Sequence, residues 1–160
     1  MDNLSRHLRK LPDPDVAAVL PCDVWALARI FPVLKRVNAI ARAPSIRVPD
    51  PQDLKRRAFS AFAELLCRMR DRLPLIVSFD DVQWFDRDAA QFMRALFVRP
   101  ELPPLLLICV HRCESTQGDE ALEALQSAAR YNAALDVRTL SVGRLAPAAL
   151  SSTLLALPPH

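Results

Sequence analysis

The chain has 160 residues, 51% of them hydrophobic and 24% charged, with a net charge of +3, which is the composition of a soluble globular domain. No apolar run approaches the roughly 18 residues that a membrane span needs, and no apolar segment follows the basic N-terminus as a secretory signal requires. Only two glycines are present, Gly118 and Gly143, and neither stands near Lys10, Lys35 or Lys55, so a GxxxxGKS/T phosphate loop and a GxGxxG dinucleotide loop are both excluded from this sequence.

In chain order, the first fifty residues read as short helices over 4–10, 13–20, 23–30 and 32–41, punctuated by Pro12, Pro14, Pro21 and Pro44. A proline-bearing linker over 44–50 separates this N-terminal helical segment, 1–43, from a core over 51–160. Asp50-Pro51-Gln52-Asp53 is a helix start, with Asp50 as cap, Pro51 in the first turn and Asp53 complementing the dipole. That helix is expected to run to about Arg72, with Leu54, Ala58, Ala61, Phe62, Leu65, Leu66 and Met69 on one stripe.

The run Pro74 to Phe79 is nearly all apolar, the pattern of a strand buried on both faces, and ends in Asp80-Asp81. Asp86 caps a helix to about Val98, and a second apolar strand covers Leu105 to Val110. A polar loop from His111 to Gly118, a helix over 119–131, a strand over 135–142 and a helix over 147–156 complete the order. Alternating helices and strands imply an α/β fold with a parallel sheet and right-handed crossovers.

Ligands of open α/β sheets bind beyond the carboxyl ends of the strands, where this sequence places Asp80, Asp81, His111 and Arg112. Two carboxylates beside a guanidinium suit Mg²⁺ with an anionic, phosphate-bearing substrate. Each residue also has a plain structural role: Asp80 and Asp81 as caps of the following turn, Asp86 as an N-cap, Trp84 as packing, Arg112 as a solvated cation. Cys109, His111 and Cys113 alternate, but no spacing supplies the fourth ligand of a closed zinc site. The scattered cysteines fit free thiols in a reducing compartment, hence a cytoplasmic location. The Arg-rich helix face, Lys55, Arg56, Arg57, Arg68, Arg70 and Arg72, is a solvated surface without the aromatic interleaving of a nucleic-acid patch.

The run Leu75-Ile76-Val77-Ser78-Phe79-Asp80-Asp81-Val82-Gln83-Trp84-Phe85-Asp86 resembles the Walker B segment of AAA and STAND signalling ATPases. These modules stand beside bacterial serine/threonine kinase and LuxR-type regulator domains. The flanking helix and the Pro103 to Arg112 strand resemble them as well, so the likeness covers most of the chain. It implies a partial, three-layer parallel sheet of the P-loop ATPase type, with ATP and Mg²⁺ as ligands. Asp80 would orient Mg²⁺ through water, Asp81 would polarise the attacking water, and Arg112 would contact the terminal phosphate. The phosphate loop and its strand are missing, leaving a gap in the sheet whose free edge at Leu105 to Val110 favours self-association. The implied partners are ATP and a kinase or transcription-regulator output domain, with neither membrane nor direct nucleic-acid binding by this segment. The alternative is a non-catalytic protein-interaction domain descended from such an ATPase.

Overall fold

The computed structural model describes residues 1–44, 46, 48–97, 103–112, 122–123, 126–127, 130 and 136–143. Proline sets the grain of the N-terminal part. Helix α1 covers Asp2–Leu8, α2 Asp13–Val19 and α3 Val24–Ile30, followed by a 3-10 turn at Pro32–Arg36 and a single turn, α4, at Asn38–Ala41. α2 starts behind Pro12 and stops at Leu20, whose extended backbone is what the ring of Pro21 imposes on the residue before it.

Helix α5, Pro51–Arg70, is the long element, 20 residues or about 30 Å. The side chain of Asp50 accepts the Gln52 N–H at 3.0 Å, as the start signal predicts. Its apolar stripe, with Ala58, Ala61, Phe62, Leu65, Leu66 and Met69 buried, packs chiefly on α3, where Ala26 and Ala58 let the two backbones approach. Helix α6, Arg87–Phe97, inserts Phe92 among Phe59, Phe62 and Phe31, with ring centroids 4.9, 5.1 and 6.0 Å away. One core therefore runs from Leu8 through Leu27, Leu34 and Leu65 to Phe97.

The strands are β1, Ile76–Phe79, and β2, Leu106–Cys109, paired in parallel with Ile76 opposite Leu106 and Phe79 opposite Cys109. Val77, Phe79, Leu107 and Cys109 face the core. The other face is open: Ile76, Leu106, Ile108 and Val110 keep 69%, 55%, 43% and 51% of their surface exposed.

The expected three-layer P-loop sheet is corrected by this architecture. Among the described residues helices dominate and the sheet has two strands with helices on one face. An apolar run does not show whether a second layer exists to cover it, and here nothing described covers the second face. Residues 136–143 form no strand, and Val137, Leu140 and Val142 are exposed. The physical reason lies in the alternation, which puts Leu140 and Val142 on the same face as Asp136 and Arg138, so pairing would create no clean apolar side. Residues 122, 123, 126, 127 and 130 are helical, as expected for 119–131, while the helix expected over 147–156 lies outside the described residues. Among the described residues no helix is long and apolar enough to cross a membrane.

Candidate functional site

Parallel pairing brings the carboxyl ends of β1 and β2 together. The Val110 N–H donates to the Phe79 carbonyl at 2.9 Å, and the Val82 N–H donates back to the Val110 carbonyl at 3.0 Å. The chain therefore cannot leave β1 straight. Asp81 turns it through the left-handed region, at φ 56° and ψ 45°, into a 3-10 turn over Val82–Trp84, and is the one non-glycine residue with positive φ among those described. Asp and Asn bear that conformation better than other side chains because their short polar groups bond locally.

Those local bonds are present. One oxygen of the Asp80 carboxylate accepts the Asp81 N–H at 2.9 Å, and one oxygen of Asp81 accepts from the Gln83 amide nitrogen at 2.7 Å. The Arg112 guanidinium stands 4.0 Å from the same Asp81 oxygen, at the outer limit of an ion pair and in solvent, where such a contact contributes little. Asp80, Asp81 and Arg112 are thus brought to one exposed lip, as their sequence positions imply. His111 is half-buried beside them.

Other expectations fare differently. Asp86 is an N-cap, accepting the Ala89 N–H at 2.8 Å. Trp84, read as packing, is 71% exposed on the lip, because the turn after Asp81 buries Val82 and Gln83 in its place. Burial pushes the Cys109 thiol above its ordinary value of 9.0, as for a core thiol, whereas Cys113 lies outside the described residues. Among the described residues no group of three or more His, Cys, Asp or Glu side chains could cage a metal. Mg²⁺ is ordinarily held by one or two carboxylates together with water and substrate phosphate oxygens, and Asp80 and Asp81 are the carboxylates at this lip.

Gln83 is the residue whose role sequence reasoning missed. It is 5% exposed, one of few buried polar residues described, and its carbonyl oxygen accepts the Arg112 N–H at 3.3 Å while its nitrogen holds Asp81. Its place in the Asp-Asp-x-Gln-Trp pattern was the available signal. Comparison with protein-family models, with curated proteins and with solved structures returned no match.

Proposed function

We propose that this chain is the acid-bearing part of an ATP-binding regulatory module whose phosphate loop is not in the sequence. The observation that carries the reading is the single lip formed by paired parallel strands, with two carboxylates on one strand end and a guanidinium 4.0 Å from one of them on the next. On this reading Asp80 holds Mg²⁺ through water, Asp81 takes the proton of the attacking water, and Arg112 meets the terminal phosphate. The exposed Asp81–Arg112 contact costs little to open. Turnover requires the missing loop from elsewhere, because its backbone N–H groups supply most triphosphate recognition. An attached or partner kinase or DNA-binding domain would then read the nucleotide state.

The test is amide NMR of the ¹⁵N-labelled chain titrated with Mg·ATP. Saturable shifts of Asp81, Val82 and Arg112, with a millimolar dissociation constant that weakens further in Asp80→Asn, are expected. Absence of shifts at millimolar concentrations overturns the reading, and micromolar binding overturns the role given to the missing loop. A second reading, a non-catalytic interaction domain, is supported by the open apolar face of Ile76, Leu106, Ile108 and Val110.

A further inference from the structure

Gln83 belongs to neither strand, yet it touches a group at the end of each. The orientation of its amide is fixed by its partners: a carboxylate only accepts and a backbone N–H only donates, so the nitrogen must face Asp81 and the oxygen Arg112. Because Gln83 is buried, both ends of the amide need partners, and neither bond is traded cheaply for one to water. The neighbouring Val82 is wholly buried against Ala90, Phe79, Phe85 and Cys109, and its N–H is bonded to Val110. The backbone from which Gln83 reaches is therefore itself anchored to β2.

We propose that Gln83 is a positioning residue that ties the Asp81 carboxylate to the backbone nitrogen of Arg112, through one amide bonded to both, and so anchors the root from which the guanidinium extends. The inference rests on the proposed ATP site for its purpose, and on the two hydrogen bonds for its geometry. Asp81 and Arg112 are exposed, and their direct contact is at its outer limit, so it cannot hold them at one spacing. The Gln83 amide fixes instead the distance from the Asp81 carboxylate to the Arg112 backbone nitrogen, where the cation's side chain begins. A base and a phosphate-binding cation must meet water and phosphate together, and a misplacement of about 1 Å in such a pair costs on the order of a hundredfold in rate. Gln83 limits that misplacement at the backbone of Arg112, without touching substrate.

Two variants and a ligand arm test this. Gln83→Met keeps the volume and loses both bonds; Gln83→Glu keeps the acceptor toward Arg112 and replaces the donor toward Asp81 with a second acceptor. In Gln83→Met the Arg112 amide proton should move upfield and exchange about tenfold faster, the loss of roughly one hydrogen bond, while the Val110 amide, bonded to Phe79, keeps its protection. In Gln83→Glu the Arg112 amide should stay near its parent position while the Asp81 resonances move. Loss of Val110 protection in both variants would make Gln83 a packing residue and overturn the proposal; so would an unmoved Arg112 amide in Gln83→Met. With Mg·ATP as probe, Gln83→Met should weaken binding about tenfold, equivalent to roughly 1.4 kcal/mol, and should be non-additive with Arg112→Ala in a double-mutant cycle. Additive effects overturn the proposal. A parent chain that does not bind Mg·ATP, but whose Arg112 amide answers to Gln83→Met as described, removes the ATP reading and leaves the positioning role standing.

Discussion

Asp81 carries two demands at once, a left-handed backbone and a carboxylate held by Gln83. A β-branched side chain in that conformation costs roughly 1–2 kcal/mol more than in a right-handed one. Asp81→Val is therefore expected to destabilise the chain by about that amount in urea unfolding, and Asp81→Asn to be close to neutral, since Asn tolerates the same backbone. Equal losses in both variants would mean that the carboxylate charge, not the backbone, decides the turn. The acids and the arginine were legible as a strand-end constellation because strand ends follow from apolar runs. The burial of Gln83 was not legible, because it depends on the Val82–Val110 bond, a contact between residues far apart in sequence.

Among the elements, α5 is the one most completely written in its own residues. Cap, proline and acidic first turn all stand where the local signals put them, and such signals need no tertiary partner. Asp53 in its first turn bonds Arg57 and Arg56, and these bonds, that to Arg57 first, hold its carboxyl below the ordinary 3.8. The folded value is the lower one, so the contribution to stability is complete above 3.8 and fades as pH falls through the folded value. Asp53→Asn should accordingly flatten the acid limb of the stability-against-pH curve and leave its shape above that limb unchanged; an unaltered acid limb would assign no role to the pair. The strands are the contrary case. Their apolar runs located both within a residue or two, yet the first was read as buried on both faces, because a run of side chains does not reveal whether a second layer exists to receive it. For 136–142 the mixed alternation was the better guide than the apolar count.

At the scale of the whole molecule, the N-terminal helices and α5 share one core. Among the described residues the sheet meets that core by one face. Its pairing has a further consequence, for the order of folding. Ile76 meets Leu106 across a separation of about 30 residues, and closing so long a flexible loop costs on the order of 3 kcal/mol of chain entropy. Four residue pairs in a two-stranded sheet are a marginal return on that cost. Helix α6 lies within the loop and, once formed and docked through Phe92 and Met93, leaves far fewer residues free to be ordered. The strands should therefore join late, after α6, and come apart first. Ala95→Gly weakens α6 by about 1 kcal/mol without removing any group of the sheet. In hydrogen exchange it should speed the amides of α6 by roughly fivefold, while the Leu106 and Val110 amides, which are bonded to Leu75 and Phe79 and exchange with α6 still in place, keep their rates. A sheet whose amides outlast those of α6 would reverse this order and make β1 and β2, short as they are, the first structure to form.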